Sequence, residues 1–224
     1  MKFAKDNFQR NGALIIVEGV DGSGKSTQVQ LIGRWLESQG FSTVFTEWKS
    51  ALQLKPMFKK IWKEDIRINP YVFSYALAAD FYQRMEKIVI PALKIGQIVI
   101  SDRWAFTGII RDTSRGLDRE TVENIYQYAI KPDVALYYDV PPEVAVKRKT
   151  NVPRYYESGS DLGLPYDRQK NFEVFEGKQI ETYRKLAGEG LITLVDGNAP
   201  ITLVSPKSRN IVKNLFKKRF GVII

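Results

Sequence analysis

The sequence of 224 residues contains neither cysteine nor histidine. The lack of cysteine excludes disulfide bonds, thiolate metal sites and cysteine nucleophiles, and the lack of histidine removes the commonest general base and metal ligand. No apolar run approaches the length of a membrane-spanning helix, and residues 1–12 lack the apolar centre of a signal peptide. We therefore expect a soluble, cytoplasmic protein whose chemistry depends on carboxylates, lysine, arginine, hydroxyls and backbone amides.

The net charge of the chain excludes few classes of partner, and its length and composition indicate the number of domains. A net charge of +9 is compatible with nucleic acid, a membrane surface or small anionic substrates as partners, because a positive field attracts all three. The hydrophobic content of 44% can fill one large core, and no change of composition divides the chain. The sequence thus predicts a single domain over residues 1–224, with residues 1–12 as an N-terminal extension.

Short apolar runs alternate with longer segments of helical period, which predicts an α/β fold with a central parallel sheet and helices on both faces. The predicted strands are 13–17, 42–46, 98–101, 133–139 and 191–195. The predicted helices are 25–39, 69–95, 118–130, 144–149, 172–186 and 206–219. Asn69 and Pro70 are suited to begin the second helix, and Ser205 to cap the last one. The apolar stripe of the second helix comprises Phe73, Leu77, Phe81, Ile88 and Leu93.

The segment GVDGSGKS, residues 19–26, lies between the first predicted strand and the first helix. Its glycines let backbone N–H groups surround phosphate oxygens, and the positive end of the helix adds its field. Lys25 would reach the outer phosphates and the Ser26 hydroxyl would bind Mg²⁺. This P-loop predicts a three-layer P-loop NTPase fold in which ATP is bound by Gly19, Asp21, Gly22, Ser23, Gly24, Lys25, Ser26 and Thr27.

A second polar motif, SDRW at residues 101–104, directly follows a predicted strand. The carboxyl ends of parallel strands line one crevice, so this motif is expected beside the P-loop. Asp102 would hold Mg²⁺ and its waters or orient the attacking oxygen, and Arg103 would bind a second phosphate group. An exposed ion pair is the alternative for an isolated Asp-Arg sequence, but the P-loop favours the functional interpretation.

Residues 150–167 are rich in aromatic residues, glycine and proline and have no helical period, which predicts a mobile lid. This segment contains Arg154 and is flanked by Arg148, Lys149 and Arg168. A guanidinium that arrives when a loop closes can stabilise the charge that spreads over the γ-phosphate oxygens. The alternative is a solvated basic loop.

Together these motifs resemble those of the thymidylate kinase family, over nearly the whole chain. GVDGSGKSTQ is similar to the family's P-loop, SDRWAFTG to its aspartate-arginine-aromatic motif, and KPDVALYYDVPPEVAVKR to the strand and helix that lead into its lid. RYYESGSDLGL resembles the lid of some prokaryotic members. The resemblance implies a homodimeric dTMP kinase that transfers a phosphoryl group in line from ATP with the help of Mg²⁺.

The resemblance also implies roles for individual residues. Asp21 would contact the sugar hydroxyl of the monophosphate, Arg103 its phosphate, and Arg148 would pack on the adenine of ATP. Because Gly22 stands where some relatives have an arginine, the arginine that stabilises the transition state would come from the lid. Arg154 is favoured for this role, so the expected catalytic residues are Lys25, Asp102, Arg103 and Arg154.

The acceptor side departs from the family pattern in three places. The sequence EWKS, beginning at Glu47, replaces a Glu-Pro-Gly-Gly segment near the acceptor phosphate. Phe81 stands where the family has an arginine that reads the pyrimidine, with Arg84 one turn later. Arg111 and Asp112 occupy positions that face the thymine edge in many members. We expect all five residues to bind the acceptor, and the identity of the base stays open.

Two other functions are compatible with the sequence. A related P-loop kinase could act on another nucleoside monophosphate, and the basic segment KNLFKKRF, residues 213–220, could belong to a nucleic-acid-binding ATPase. A terminal helix with one core-facing side and one solvated basic side explains that segment more simply. We therefore expect nucleotides as partners and neither nucleic acid nor membrane. A non-catalytic nucleotide-binding module is disfavoured by Asp102, Arg103 and the lid.

Overall fold

The computed structural model of the chain describes residues 1–63, 66–149, 151 and 153–224. Within this part, the strands form one parallel sheet in the order β2-β3-β1-β4-β5. Each strand lies within two residues of its predicted bounds, which confirms the predicted sheet. The strands are β1 Ala13–Glu18, β2 Thr43–Glu47, β3 Ile98–Asp102, β4 Val134–Asp139 and β5 Thr193–Asp196.

The register of the sheet places three functional segments at one edge. β1 is buried along its whole length and pairs with β3 on one side and β4 on the other. Val17 of β1 is opposite Asp102 of β3, and Asp102 is opposite Glu47 of β2. The P-loop, the SDRW motif and the EWKS segment therefore begin side by side at the carboxyl edge.

Helices cover both faces of the sheet, as predicted. The helices are α1 Lys25–Ser38, α2 Lys55–Lys63, α3 Pro70–Arg84, α4 Ile90–Lys94, α5 Ala105–Thr113, α6 Arg119–Ile125, α7 Pro142–Arg148, α8 Arg168–Gly188 and α9 Ile201–Phe220. Alternate side chains of the strands pack into two separate cores. α1 and α9 cover the core on one face, and the other core lies beneath α3 to α6 and α8. None of the described helices is long and apolar enough to cross a membrane.

The second predicted helix is interrupted by a π-helical segment, Met85–Val89, between α3 and α4. Its apolar stripe was predicted wrongly at Ile88, which is 37% exposed, whereas Met85 and Val89 are buried. The cause is Pro91, which has no N–H and whose ring would clash with the carbonyl group four residues earlier in a regular α-helix. The wider π turn accommodates it, and the N–H of Ile90 bonds to the carbonyl of Met85.

Other helix bounds also differ from the predictions. α2 and α5 were not predicted. α6 ends at Ile125, before the predicted end at 130, because residues 129 and 130 pair with the N-terminal segment through Ala4. α9 begins at Ile201, so Ser205 lies inside the helix and does not cap it. Burial of Val204 in the core favours the extra turn despite the N–H missing at Pro206.

Candidate active site

The P-loop connects β1 to α1 and presents its backbone at the carboxyl edge of the sheet. Gly22 has a φ of 90°, which favours glycine, and a Cβ there would lie 2.2 Å from the carbonyl oxygen of Ala145. α7 therefore packs too closely on the loop for any side chain at position 22.

Asp21 lies at the centre of the site and is surrounded by cations. Its carboxylate is 3.2 Å from Lys25 Nζ, accepts a hydrogen bond from Arg103, and is 3.7 Å from Lys149 Nζ. Burial alone would raise the pKa of Asp21, but Arg103 and Lys25 outweigh burial and hold that pKa well below its usual range. Lys25 is itself buried, and burial together with Arg103 lowers its pKa. Lys25 was predicted to bind the donor phosphates and Arg103 the acceptor phosphate. Both side chains thus contact the carboxylate of Asp21.

Arg103 adopts a backbone conformation that is rare for a residue with a side chain. Its φ is 75°, its N–H donates to the carbonyl oxygen of Val17 at 2.9 Å, and its guanidinium donates to the carbonyl oxygen of Gly19 at 3.0 Å. Left-handed backbone at non-glycine residues occurs preferentially at functional sites, where surrounding contacts maintain it. The contacts with β1 and the P-loop fix the guanidinium beside Asp21.

Glu18 holds the turn that carries Arg103. This carboxylate accepts hydrogen bonds from the backbone N–H of Trp104 at 2.7 Å, from the Thr107 hydroxyl at 2.6 Å and from the Tyr183 hydroxyl at 2.8 Å. It is completely buried, and burial raises its pKa despite these donors. Glu18 was not predicted as a site residue. The signal was a charged residue that ends an otherwise apolar strand beside the P-loop.

Ser26 and Asp102 form an oxygen-lined corner next to the P-loop. The Ser26 hydroxyl donates to Asp102 Oδ2 at 2.8 Å, while Asp102 Oδ1 is buried and has no hydrogen-bond partner among the described residues. Glu47 lines the same cleft from β2. The described residues contain no cluster of three or more metal-binding side chains. A hydroxyl and one or two carboxylates fit Mg²⁺, which keeps several waters and binds phosphate oxygens.

Arg148 lies on the other side of the P-loop. Its guanidinium donates to the carbonyl oxygen of Gly197 at 2.9 Å. With Ser23, Gly24 and Thr27 it lines a cleft of 210 Å³. The structure therefore brings together four of the residues predicted to bind ATP, in a cleft whose far wall is formed by the start of α9.

Two residues predicted to bind the acceptor are enclosed in the core. Phe81 is completely buried among the rings of Trp48, Trp104 and Tyr126. Arg84 is 1% exposed, and it bonds to Asp80 at 3.0 Å and to the Thr46 hydroxyl at 3.0 Å. Both lie on the side of α3 that faces the core. The structure does not bring either side chain to the cleft.

Arg111 and Asp112 have different positions on α5. Arg111 lines a small cavity with Lys49, Phe73, Leu77, Arg115, Tyr156 and Glu157. The carboxylate of Asp112 is 2% exposed and accepts a hydrogen bond from the Ser74 hydroxyl of α3. Burial raises the pKa of Asp112 to about 6. Arg111 thus faces the cavity, and Asp112 lies directly behind its wall.

The lid packs down on this cavity. Tyr156 stacks on Phe73 with ring centroids 5.1 Å apart, and Arg115 bonds both to the Tyr156 carbonyl oxygen and to Asp161. The described lid residues form turns and one 3₁₀ turn, Ser160–Leu162, but no longer helix or strand, while Thr150 and Val152 lie outside the described residues. The Arg154 side chain is exposed. Lys149 bridges Glu157 at 3.2 Å and Asp21 at 3.7 Å, so this flanking lysine connects lid and P-loop.

Comparisons with known proteins identify the family of this chain. A family model described as thymidylate kinase matches residues 17–205. The chain belongs to the thymidylate kinase family. The probable thymidylate kinase 2 of Saccharolobus solfataricus is 35% identical over 206 residues, which cover 90% of this chain and 95% of that protein. The thymidylate kinase of Pelobacter propionicus is 31% identical over 207 residues, covering 87% and 90% of the two chains. The probable thymidylate kinase of Thermococcus onnurineus is 32% identical over 181 residues, covering 77% and 83%.

Membership of the thymidylate kinase family makes this protein an ATP-dependent phosphotransferase, as the sequence predicted. Glu18 was not predicted from the sequence, and Lys149 was predicted only to flank the lid. Lys49 was visible in the sequence only as part of a departure from the family pattern, because its position depends on side chains far away in the chain.

Proposed function

We propose that this kinase phosphorylates dTMP to dTDP with ATP and Mg²⁺ by in-line phosphoryl transfer. The observation that carries the proposal is the convergence of Lys25, from the P-loop, and Arg103, from the SDRW turn, on a single carboxylate. Cations that reach one carboxylate can also reach two phosphate groups that meet there. The relatives named as thymidylate kinases support dTMP as the acceptor.

Each site residue has a separate role in the proposed reaction. Backbone N–H groups of the P-loop and Lys25 would bind the phosphates of ATP, and Arg103 would bind the acceptor phosphate. Ser26 and Asp102 would hold Mg²⁺, which when bound neutralises charge on the transferring phosphoryl group. We assign Asp21 to the sugar hydroxyl of the acceptor and Arg148 to the adenine. Both assignments rest on family resemblance.

Replacement of Arg103 by alanine is expected to raise the KM for dTMP by roughly 10- to 100-fold, because a charge-assisted hydrogen bond to the acceptor phosphate is lost. The KM for ATP should change much less. Steady-state kinetics with each nucleotide varied in turn measures both constants. Equal losses for the two nucleotides would contradict the assignment of Arg103 to the acceptor.

We propose Arg154 as the lid residue that stabilises the transition state. Arg154→Ala is then expected to lower kcat by at least ~10-fold with little change in either KM, because the guanidinium would reach the phosphates only in the closed complex. Lys149→Ala is the informative comparison, since the lysine already lies 3.7 Å from Asp21. A loss of kcat in Lys149→Ala alone would transfer the role from Arg154 to Lys149.

The acceptor base is proposed to be thymine or uracil. Arg111 would donate to the O4 carbonyl. Asp112 would have to turn from Ser74 into the cavity to accept from the protonated N3, for which its carboxylate is ionised above about pH 6. Cytosine has an amino group and an unprotonated N3 at these positions, so buried polar groups would be left unsatisfied.

A panel of nucleoside monophosphates with ATP and Mg²⁺, scored for ADP formation, tests this assignment. We expect dTMP and dUMP to exceed dCMP, AMP and GMP in kcat/KM by at least ~10-fold at pH 7.5. Asp112→Asn should narrow the gap between dTMP and dCMP, because its amide can donate to N3 of cytosine. Better use of dCMP, AMP or GMP than of dTMP would overturn the acceptor assignment and leave the kinase assignment intact.

A homodimer is also proposed, on family resemblance. The outer side of α3 presents Tyr71, Val72 and Tyr75, which are 44%, 59% and 59% exposed. Such a contiguous apolar patch is suited to an interface. Light scattering after size-exclusion chromatography would give the mass in solution, and a monomer at micromolar concentration would contradict the proposal.

A further inference from the structure

Arg115, in the turn that follows α5, connects the lid to the rest of the site. Its guanidinium lies 2.9 Å from the carboxylate of Asp161 and also donates to the carbonyl oxygen of Tyr156, so it bonds to the lid at two points. It donates in addition to the carbonyl oxygen of Arg111 at 3.2 Å, on the helix that lines the cavity. The side chains of Arg115 and Asp161 are only 4% and 12% exposed. One buried cation therefore bonds to both the lid and α5.

The same guanidinium lies on an aromatic ring of α8. Its central carbon is 4.5 Å from the centre of the Phe175 ring, a distance at which the face of the ring attracts a cation. Phe175 is completely buried. Burial lowers the pKa of Arg115, and the charge of Asp161 opposes this decrease. Because a buried charge is costly without such a partner, displacement of the lid would leave Arg115 in a less favourable environment.

The lid approaches the same ring a second time, through Gly159. This glycine has a φ of 66°, and a Cβ there would lie 2.8 Å from the Cβ of Phe175. Gly163, four residues later, has nearly the same φ of 67°, but a Cβ there would have no atom of the described residues within 4 Å. The two glycines therefore differ in packing and not in backbone conformation. Only at Gly159 does the contact with α8 exclude a side chain.

We propose that Arg115 and Phe175 form a seat that holds the lid over the cavity, with Arg115 as a positioning residue. Arg115 and Tyr156 both line this cavity, and the Tyr156 ring stacks on Phe73 of α3. The closed lid is thus one wall of the cavity. Weakening the seat would lower the fraction of protein with a closed lid, and with it the affinity for the acceptor. This effect on catalysis rests on the proposed function, whereas the closing of the lid on its seat does not.

Two pairs of variants test the seat without changing any residue proposed to bind phosphate or base. Asp161→Asn removes the charge of the lid partner, and its control is Glu173→Gln, which removes the charge of an exposed ion pair on α8. Gly159→Ala introduces the collision with Phe175. Its control is Gly163→Ala, which introduces the same left-handed backbone strain without a collision.

Cleavage by trypsin after Arg154, an exposed residue of the lid, reports how often the lid opens. Cleavage after Lys213, an exposed residue of α9 far from the lid in the sequence, reports unfolding of the rest of the protein. Both rates are measured by mass spectrometry of the full chain without nucleotide. Steady-state kinetics with ATP, Mg²⁺ and dTMP gives kcat/KM for the same proteins.

We expect Asp161→Asn and Gly159→Ala to accelerate cleavage after Arg154 by at least ~10-fold and to lower kcat/KM for dTMP by a similar factor. Cleavage after Lys213 should change much less. Glu173→Gln should behave as wild type, because an exposed ion pair contributes little. Gly163→Ala should change both quantities at least ~3-fold less than Gly159→Ala, since it adds strain alone.

Three results would overturn the seat: cleavage of Asp161→Asn at the wild-type rate, equal effects of Gly159→Ala and Gly163→Ala, or parallel acceleration of cleavage after Arg154 and Lys213. Faster cleavage after Arg154 with unchanged kcat/KM would also overturn it as a positioning device. If wild type prefers another monophosphate, dTMP as acceptor fails. The seat is then judged by the cleavage rates and by kinetics with the preferred nucleotide.

Discussion

Replacing Lys25 with alanine is expected to lower kcat for ATP and dTMP by ~10²- to 10³-fold. The ammonium group is 3.2 Å from Asp21, and the residue is 7% exposed. A charge in such a water-poor site stabilises developing phosphate charge more strongly than a solvated charge does. The loss should appear mainly in kcat, since Lys25 would approach the transferring phosphoryl group most closely in the transition state.

Folding has to be checked in the same variant, because removal of Lys25 leaves Asp21 with fewer positive neighbours. Thermal unfolding followed by circular dichroism serves this purpose. Lys178→Ala is the matched control, since Lys178 is an exposed lysine on α8. A correctly folded Lys25→Ala protein with wild-type kcat would remove Lys25 from the mechanism.

Asp102→Ala is expected to lower kcat by a similar ~10²- to 10³-fold and to weaken the dependence of the rate on Mg²⁺ concentration. The carboxylate has one oxygen bonded to Ser26 and one buried oxygen without a hydrogen-bond partner among the described residues. Alanine would remove both oxygens from the corner proposed to hold the cation. Titration of the rate with Mg²⁺, in the variant and in wild type, measures the effect.

A matched control for Asp102 is Glu47→Gln in the neighbouring strand, which keeps the size of the side chain in the same cleft. If Glu47 contacts the metal only through a water molecule or the substrate, Glu47→Gln should lose less activity than Asp102→Ala. Identical Mg²⁺ titrations for Asp102→Ala and wild type would contradict the assignment of Asp102 to the metal.

The parts of this site that the sequence predicted depend on local patterns. The P-loop and the SDRW motif each directly follow an apolar strand, and the carboxyl edge of a parallel sheet brings such segments together. The placement of Asp102 next to Ser26 follows from the register of β1 and β3. The strands were predictable for the same reason, since buried parallel strands are short, continuous apolar runs.

The parts that were missed depend on contacts between distant residues. Arg84 was expected to contact substrate, but it bonds to Asp80 and Thr46 inside the core. The backbone of Lys49 is held by the same Asp80, which lies 31 residues away in the sequence. α5 was not predicted because it is only nine residues long and contains Gly108 and four β-branched residues, which have low helix propensity. No pattern within a single segment contains this information.

The π-helical segment before Pro91 has a consequence for the length of this helix in related sequences. A π turn corresponds to one residue inserted into an α-helix. The residues after it therefore keep the same side of the helix toward the core only while the turn persists. The buried residues Phe81, Met85, Val89 and Leu93 follow one another at intervals of four, which in a regular helix would drift by about 40° per step. Deleting one residue between 85 and 89 and changing Pro91→Ala would therefore restore an uninterrupted helix with Phe81 and Leu93 still on one side. Relatives that lack a proline here are expected to be one residue shorter in this helix.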